Sequence, residues 1–383
     1  MARALYIHWP FCAKKCPYCD FNSHVRAAVD VAAWQSALIA DMRAEAQATG
    51  GAVLTSIFFG GGTPSLMPPS LVEALLAEAA SLWGFAPDVE ITLEANPSSV
   101  EASAFADLAA AGINRVSLGI QSFNDDRLRW LGRLHGAEEA KAALCVAQKH
   151  FGRVSFDLIY ALPGQTLAEW EHELGAALAV GTGHLSLYQL TIEPGTRFAS
   201  DVRRGIFSPM EDDAAAAFYT ATQARTERAG LPAYETSNHA RPGGGSRHNL
   251  AYWRYQDYAG IGPGAHGRRG GSATMRHRKP ENYLAAVAAR GHGIAEQRAL
   301  ASREQASEAL LMGLRLVEGV DLAELETRFA LTRDQLLQPN RAAHLETLGL
   351  IATAGSRITV RSEGRPLLDA ILAEIVADDL VAA

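Results

Sequence analysis

Short runs of β-branched and aromatic residues alternate with stretches rich in Ala, Leu and Glu along the first 200 residues of the chain. The apolar runs predict strands, whereas the stretches between them have the composition of helices. The predicted strands cover residues 5–9, 56–60, 89–96, 115–122, 153–160 and 184–190. The predicted helices between them cover residues 30–48, 69–83, 99–111, 136–150 and 166–179.

This alternation predicts a parallel sheet, because parallel neighbours need a crossover connection that is usually a helix. The six strand–helix units are fewer than the roughly eight that close a TIM barrel. We therefore predict an α/β fold in which residues 1–290 form a partial (β/α)6 TIM-like barrel.

The pattern changes beyond residue 200. A helix is predicted at 211–229, and the segment 234–267, rich in Gly, His and aromatic residues, predicts a loop that crosses the active face of the barrel. Residues 295–383 predict a second, small domain, a helical and winged-helix-like cap. Its predicted elements are helices at 303–317, 320–329 and 340–348 and a hairpin at 350–360 that turns at Ala354-Gly355-Ser356.

Composition and charge narrow the class of protein. A hydrophobic content of 48% supports a full core. No segment has the composition of a signal peptide or the ~18 uninterrupted apolar residues of a membrane-spanning helix, so we expect a soluble, cytoplasmic protein. The net charge of −7 is mild, and residues 301–383 hold 8 Lys/Arg against 13 Asp/Glu. Nucleic acid is therefore not an expected partner, because its binding requires an excess of positive charge.

Three of the four cysteines, Cys12, Cys16 and Cys19, lie within the segment "FCAKKCPYCDFNSH" at residues 11–24. This clustering is not typical of a disulfide framework. The fourth, Cys145, lies on the apolar face of a predicted helix, where we expect a buried core thiol.

Two metal centres would use such a cysteine cluster. Structural zinc needs a fourth ligand, which His8 or His24 could supply, although C-x3-C-x2-C is not the spacing of paired knuckles. A [4Fe–4S] cluster has four irons that each need an external ligand. Three cysteines would leave one iron open to a small molecule, and Pro17 would stiffen the loop.

Polar residues follow the predicted strands at the ends where α/β sheets carry their chemistry. The strands lead, in order, into the cysteine segment, "GGGTP" at 60–64, Glu94 and Asn96, Gln121, Asp157, and Tyr188 with Gln189. A plainer explanation exists for each residue, because loops are polar in general. Six consecutive cases favour a single site at this edge of the sheet.

The segment "CAKKCPYC" resembles the cluster loop of the radical S-adenosylmethionine (radical SAM) enzymes. That resemblance implies a [4Fe–4S] cluster whose open iron is chelated by S-adenosylmethionine. It also implies a reducing electron donor, whose electron cleaves a C–S bond of the cofactor to give a 5′-deoxyadenosyl radical. "GGGTP" would by itself be an ordinary turn, and it resembles the family segment that contacts the methionine amino group.

The segments "YIHWPFC", "GGGTPS", "GIQSFND" and "DLIYALPGQT" and the C-terminal cap resemble the family of oxygen-independent coproporphyrinogen III oxidase over nearly the whole chain. By this resemblance the cofactor site contains Tyr6, Tyr18, Gly62, Thr63, Glu94, Gln121, Arg133, Asp157, Thr191 and His266. Arg133 would pair with a carboxylate. The alternatives are a solvated helix charge for Arg133 and a helix or turn cap for Asp157.

Two departures distinguish the chain from the oxidases of this family. Phe21 stands where the oxidases have a further cysteine. The cluster loop begins at residue 11, whereas the oxidases carry a long N-terminal arm before this loop. Both features are typical of the HemW haem chaperones, which also carry the motif H-N-x-x-Y-W, present here as His248, Asn249, Tyr252 and Trp253.

The resemblance implies that this motif contacts haem. A histidine can ligate haem iron, and Tyr and Trp give a stacking surface. Arg247 and Arg254 could meet the propionates. The alternative is a packed aromatic corner that holds a loop to the barrel.

The function that follows is that of a haem chaperone. It would bind haem and a [4Fe–4S] cluster with exchangeable S-adenosylmethionine and transfer haem to an acceptor protein, with peripheral membrane contact through that acceptor. The first alternative is a radical SAM decarboxylase that acts on coproporphyrinogen. The second is a non-enzymatic zinc or structural protein.

Overall fold

The structure is a computed structural model of the chain, and it describes residues 3–49 and 51–377. The last part of the predicted cap, residues 378–383, lies outside the described residues. The elements up to residue 189 are β1 (Ala4–Trp9), β2 (Phe11–Cys12), β3 (His24–Val25), α1 (Val31–Thr49), β4 (Leu54–Gly61), α2 (Pro69–Trp83), β5 (Phe85–Ala95), α3 (Ser99–Ser103), α4 (Phe105–Ala110), β6 (Arg115–Gln121), α5 (Asp125–Trp130), α6 (Ala137–His150), β7 (Arg153–Tyr160), α7 (Leu167–Ala179) and β8 (His184–Gln189).

The remaining elements complete the barrel and form the C-terminal domain. They are α8 (Arg197–Arg203), α9 (Asp212–Arg228), β9 (Asn238–Ala240), α10 (Arg247–Trp253), β10 (Tyr258–Ile261), β11 (His266–Arg269), β12 (Ser272–Arg276), α11 (Pro280–Arg290), β13 (Ile294–Ala299), α12 (Ser302–Gly313), β14 (Val320–Asp321), α13 (Leu322–Phe329), α14 (Arg333–Leu336), α15 (Pro339–Thr347), β15 (Ile351–Ala354), β16 (Arg357–Val360) and α16 (Leu368–Ile375). Short 3₁₀ turns lie at Pro64–Leu66 and Arg365–Leu367.

The predicted parallel sheet is confirmed. Strands β1, β4, β5, β6, β7 and β8 are neighbours in that order, and each pair is parallel. The helices between them begin where the sequence supplies a start signal. α2 has Pro69 at its first position, and α7 begins with a capping box between Thr166 and Glu169. Only the predicted helix 99–111 is divided, into α3 and α4.

The prediction of a loop at 234–267 is wrong. This segment contains β9, α10, β10 and the start of β11. β10 pairs in parallel with β1, so the first residues of "GIGPGAHG" belong to a strand, and β11, β12 and β13 continue the sheet as antiparallel neighbours. The pairing partner of β10 lies some 250 residues away in the chain (Tyr258 pairs with Ala4), which a local pattern does not reveal. The result is a mixed sheet of 11 strands, with no pairing between its two end strands among the described residues.

The two faces of the parallel strands have opposite chemistry, as period-two alternation requires. Residues such as Leu5, Ile57 and Phe156 are fully buried in the main hydrophobic core, which also contains helix residues such as Leu38 and Leu75. The alternate positions of the strands are largely polar and face the inside of the partial barrel. This division places the polar groups of neighbouring strands next to one another.

The C-terminal domain has a hydrophobic core of its own, formed by residues that include Leu310, Leu325 and Ile371. The predicted helices correspond to α12, α13 and α15, and the predicted hairpin is β15–β16. Its turn is Gly355-Ser356, because Ala354 still pairs with Arg357. β13 lies in the large sheet, and the domain boundary at residues 290–295 stays a prediction. Among the described residues, no helix is both long enough and apolar enough to cross a membrane.

A buried ion cluster holds α1 against the antiparallel part of the sheet. Arg276 on β12 is 0% exposed, and its Nη2 donates to Glu45 Oε2 at 2.6 Å while its Nε lies 3.3 Å from Asp41 Oδ2. Tyr283 Oη donates to the same oxygen of Asp41 at 2.9 Å. Arg269 Nε donates to Glu45 Oε1 at 2.6 Å. Each buried charge therefore has an opposite charge and hydrogen bonds, without which its burial would be costly.

We predict that Arg276→Leu lowers the free energy of unfolding by roughly 3–5 kcal/mol, because it leaves two carboxylates buried without this guanidinium. The measurement is urea unfolding followed by circular dichroism. Arg43→Leu is the matched control on α1, because Arg43 pairs with Glu78 at the surface, where ion pairs contribute little. Equal stability of the two variants would contradict a central role for Arg276.

Candidate functional site

The three clustered thiols are held on one short, anchored loop. Cys12 belongs to β2, and Cys16 and Cys19 lie between β2 and β3, where Cys19 N donates to Cys16 O at 3.2 Å. The loop is tied down at its far end by Asn22, whose Nδ2 donates to Pro263 O at 2.9 Å. His8 Nε2 lies 2.9 Å from Asn22 O. The loop is therefore fixed to β1 and to the segment after β10.

Burial of the loop affects its thiols. Partial desolvation raises the pKa of Cys12, an effect that a hydrogen bond from Thr63 Oγ1 to Cys12 Sγ at 3.4 Å partly offsets. Desolvation likewise raises the pKa of Cys19. Burial therefore favours the neutral forms of Cys12 and Cys19, and a bound metal would favour the thiolates.

The prediction for Cys145 is wrong. Its side chain is exposed on α6, beside the buried row Ala140, Ala143, Leu144 and Ala147. It does not line the cavity next to the other three thiols. The apolar neighbours that suggested burial belong to the adjacent face of the helix.

The carboxyl ends of the strands enclose one cavity beside the cysteine loop. Its walls contain these predicted residues: Cys12, Cys16, Cys19, Tyr18, Gly62, Thr63, Glu94, Gln121, Arg133 and Asp157. Two others, Tyr6 and His266, line a neighbouring cavity that shares Phe21, Gly61 and Glu94 with the first. Thr191 lines neither, and its exposed hydroxyl donates to Gln189 O at 3.4 Å. The structure thus brings together all the predicted metal and cofactor residues except Thr191.

The glycines of "GGGTP" form a tight turn across the ends of β1 and β2. Gly62 N donates to Trp9 O at 2.7 Å, and Thr63 N donates to Phe11 O at 2.8 Å. A Cβ on Gly62 would lie 2.6 Å from Phe11 O, so only glycine fits there. Gly61 N donates to Glu94 Oε2 at 3.2 Å. The turn therefore holds Glu94 at the cavity wall.

Arg133 links the cysteine loop to the sheet. Its Nη1 lies 3.4 Å from Cys16 Sγ, and its Nη2 donates to Asn96 Oδ1 at 2.5 Å and to Gly119 O at 2.6 Å. Its Nε is buried without a hydrogen-bond partner. No carboxylate in the described part of the chain lies within ion-pair distance of this guanidinium. The alternative of a solvated helix charge is therefore wrong, and the group is available to an anionic ligand.

Two carboxyl groups in the cavity wall are shifted toward their neutral forms. Desolvation raises the pKa of Glu94 to about 8, and the charge of Asp157 adds to that rise. Desolvation also raises the pKa of Asp157, to about 6, although hydrogen bonds from Ser186 and Ser117 oppose it. Asp157 lies within β7, so it is not a helix or turn cap. Near neutral pH the pair carries less than its full formal charge.

The motif H-N-x-x-Y-W forms α10, which lies against the inner face of β4. His248 is 1% exposed, its Nδ1 lies 3.3 Å from Ser56 Oγ, and its Nε2 lies 2.8 Å from Tyr252 Oη. Its ring stacks on Phe58 with centroids 5.0 Å apart, and burial lowers its pKa to about 3. This geometry matches the packed aromatic corner, since both ring nitrogens already have partners.

The rest of the motif faces outward to different degrees. Tyr252 lines the neighbouring cavity, and Asn249 and Trp253 are half-buried. The arginines considered for the propionates are engaged elsewhere. Arg247 pairs with Asp88 and Arg254 with Glu318. Haem contact by His248, Asn249, Tyr252 and Trp253 stays a prediction, and contact through His248 would require its hydrogen bonds to break.

Several residues of the cavity wall were not predicted as site residues. They are Lys14, Lys15, Phe21, Ser23, Ala95, Ser117 and Gly119, whereas Gly61 and Asn96 had been expected at this edge of the sheet. A signal for two of them exists in the period-two pattern, because Ser117 and Gly119 share a face of β6 with Gln121. Asn96 also orders the site, since it accepts from Arg133 and its Nδ2 donates to Thr63 Oγ1 at 3.2 Å.

The three thiols are not placed around the position of a single metal ion. Among residues 3–49 and 51–377, no three His, Cys, Asp or Glu side chains are arranged to hold one metal ion. Thiolates that share one zinc must each lie about 2.3 Å from the same centre. The thiolates of a [4Fe–4S] cluster bind separate irons and therefore stand further apart. The donor set is three thiols with a basic side chain at the same cavity.

Comparison with known proteins gives matches along most of the chain. The family model described as the radical SAM superfamily matches residues 6–176, and the HemN C-terminal domain matches residues 300–367. The mitochondrial protein named "Radical S-adenosyl methionine domain-containing protein 1" of Bos taurus is 37% identical over 98% of this chain and 87% of its own length. The "Heme chaperone HemW" of Haemophilus influenzae is 41% identical over 84% of this chain and 85% of its own length.

A solved structure supports the fold independently. Coproporphyrinogen III oxidase (HemN) from Escherichia coli, described as a radical SAM enzyme, matches with a TM-score of 0.81 over 97% of this chain and 89% of that chain. The two sequences are 23% identical. At this level of identity, the match establishes the fold alone.

We predict that Glu94→Gln changes how stability depends on pH. Because the folded-state pKa of about 8 is above the ordinary value of 4.5, the folded chain keeps a proton that the unfolded chain loses. The free energy of unfolding of the wild type should fall between pH 4.5 and 8 and level off above that range. Glu94→Gln should remove a few kcal/mol of this fall, on the order of 1.4 kcal/mol for each pH unit.

The measurement is urea unfolding of the metal-free protein across this pH range. The two proteins should be similarly stable at about pH 4, where Glu94 is mostly protonated in both states, and the variant should be the more stable near pH 8. Parallel pH profiles would show that Glu94 is already ionised in the folded chain.

Proposed function

The chain belongs to the radical SAM superfamily, in the family that contains the HemW haem chaperones, and we propose that it is a haem chaperone with a [4Fe–4S] cluster. Cys12, Cys16 and Cys19 are the proposed cluster ligands. The observation that carries this proposal is their position at one cavity, at the carboxyl ends of the parallel strands. The remaining cysteine is exposed on α6 and outside that cavity, so the fourth iron is left to a small molecule.

Further groups in the cavity suit S-adenosylmethionine as that small molecule. Arg133 offers a guanidinium that no carboxylate of the described chain neutralises, and its fork suits the carboxylate of the methionine moiety. Glu94 and the turn at Gly62 and Thr63 offer acceptors for its amino group. By family resemblance, the proposed contacts of the same cofactor also include Tyr6, Tyr18, Gln121, Asp157 and His266, as well as Thr191, which lies outside the two cavities. A bound cluster would supply an electron, which requires a reducing donor.

The proposed cargo is haem, and the proposed partner is a haem-acceptor protein, with peripheral membrane contact through that acceptor. The support is the name of the HemW relatives, of which this chain covers most of the length. The motif on α10 is the proposed haem-contacting segment. Nucleic acid is not a proposed partner, because the C-terminal domain has an acidic balance. The cytoplasm is the proposed compartment, although the vertebrate relatives carry a mitochondrial name.

Coproporphyrinogen oxidation stays the rival function. The match to HemN supports the shared fold and not the reaction. Phe21, 60% exposed, lies at the wall of both neighbouring cavities, at the position where the oxidases have a further cysteine by family resemblance. A bulky apolar side chain at this position would change how a substrate approaches the cluster.

We predict that replacing Cys12, Cys16 or Cys19 by Ser abolishes the cluster, because a hydroxyl does not replace a thiolate ligand. After anaerobic reconstitution the wild type should hold about four irons and four sulfides per chain, and each variant should lose most of them. Cys145→Ser is the matched control and should keep the full content. Uptake of zinc without iron and sulfide would contradict the assignment of a [4Fe–4S] cluster.

We predict that the reconstituted protein binds haem and does not convert coproporphyrinogen. One sample receives haem, and binding is followed by the shift of the Soret band. A second sample receives coproporphyrinogen, S-adenosylmethionine and reductant, and products are separated by chromatography. Turnover to protoporphyrinogen would favour the rival function, whereas haem binding without turnover is the expected result.

A further inference from the structure

A second polar cavity system lies between the barrel and the C-terminal domain, away from the cysteine loop. One cavity of about 540 Å³ lies between α9 and the end of β16. An adjoining cavity of about 470 Å³ lies between the start of α9 and α16. The two share Tyr219, Arg365 and Pro366 and have no wall residue in common with the cysteine cavity. We refer to them together as the interdomain crevice.

The crevice has an excess of buried hydrogen-bond donors. Four polar atoms of its wall are buried without a partner: Tyr219 Oη, Gln223 Nε2, Thr236 Oγ1 and Arg315 Nε. Each of these atoms carries a hydrogen that it can donate. The Tyr219 side chain is only 8% exposed. Because an unmade buried hydrogen bond costs roughly 1–3 kcal/mol, these groups would gain from an acceptor that reaches them when the crevice is occupied.

The crevice has three arginines that could meet an anionic acceptor. Arg315, Arg361 and Arg365 line it, and none of them has a carboxylate within ion-pair distance in the described part of the chain. Arg365 is 8% exposed and donates to Arg315 O at 2.6 Å and Leu316 O at 2.9 Å. The acidic residues of the wall, Asp212, Asp213, Glu227 and Asp369, are all exposed. These four acidic groups lie at the rim and Arg365 lies inside, where the charge of the buried Glu235 also acts on Tyr219 and Arg365.

Part of the remaining wall is apolar. Pro232, Val317 and Val360 line the larger cavity, and Leu367 lines the smaller one. Pro366 lines both. Val317 and Leu367 are 47% and 50% exposed, which is a large exposure for aliphatic side chains. Apolar walls around a few donors are typical of sites for amphipathic ligands, and such sites commonly measure about 300–1,000 Å³.

We propose that the interdomain crevice binds the propionate carboxylates of haem, with the macrocycle against its apolar wall. This inference rests on the proposed haem-chaperone function. Arg315 and Tyr219 donate to the carboxylates, and Arg361 and Arg365 supply the positive charge. The guanidinium of Arg315 lies 5.0 Å above the ring of Trp253, the last residue of the motif on α10. Trp253 of the motif therefore positions Arg315, whereas His248 packs inside the barrel.

The test compares two ligands that differ only in their carboxylates, haem and haem dimethyl ester. Titrations use the full chain and follow the Soret band. The wild type should bind haem about tenfold more tightly than the ester, the change expected for one or two charge-assisted hydrogen bonds. Arg315→Gln and Tyr219→Phe should each weaken haem binding severalfold and leave ester binding unchanged. The ratio of the affinity for haem to the affinity for the ester should therefore fall toward one.

Arg204→Gln is the charge-matched control, because Arg204 is exposed and outside the crevice. It should keep the wild-type preference. Thermal unfolding identifies a variant that fails to fold, and Tyr219→Phe keeps the ring if Arg315→Gln does not fold. Equal binding of haem and ester by the wild type would overturn the propionate site and leave the chaperone function standing. An unchanged preference for haem in both variants would also overturn the propionate site. A wild type that binds no haem would overturn both the propionate site and the chaperone function.

Discussion

The burial of Arg115 is the constraint on which the inside of the barrel depends. Its side chain is 3% exposed at the base of β6. Nη1 donates to Thr92 Oγ1 at 3.3 Å, Nη2 donates to Ser155 Oγ at 2.9 Å, and Nε lies 4.0 Å from Glu90 Oε2. A guanidinium in this position is stable only if every neighbouring strand offers it an acceptor. The polar residues on the inner face of β5 and β7 meet that requirement.

Hydrogen bonds extend from the surroundings of Arg115 in two directions, toward the base of the barrel and toward the cysteine cavity. Below it, Glu90 also pairs with Arg153 and accepts from Arg247 N at 2.8 Å, which fixes the start of α10 at the base of the barrel. Above it, Ser155 Oγ donates to Ser117 Oγ at 2.9 Å, and Ser117 Oγ donates to Asp157 Oδ1 at 3.3 Å. This chain of hydrogen bonds orients Asp157, whose charge contributes to the raised pKa of Glu94. The electrostatics of the cysteine cavity are therefore set partly from the base of the barrel.

The sequence predicts those features that depend on local alternation and spacing. The six parallel strands and the polar residues at their ends follow from period-two patterns, and the cysteine loop follows from its spacing. Features that depend on distant pairing were missed. β10 is a strand because β1 offers it a partner, and Cys145 is exposed because the adjacent face of α6 is the buried one. A sequence motif also does not show how far its side chains are buried. The burial of His248 and the exposure of Thr191 therefore became evident only from the structure.

The segment from α10 to β10 connects the barrel to the C-terminal domain through three kinds of contact. His248 packs inside the barrel, and β10 pairs with the strand that leads into the cysteine loop. Between them, Tyr255 Oη donates to Glu308 Oε2 on α12 at 2.5 Å, and Arg328 on α13 donates to Tyr255 O at 2.9 Å. The C-terminal domain is therefore linked to β1 through one segment, residues 247–261. The cysteine cavity and the interdomain crevice have no wall residue in common, but this segment contacts both surroundings: β10 pairs with the strand that leads into the cysteine loop, and Trp253 lies beneath Arg315 of the crevice.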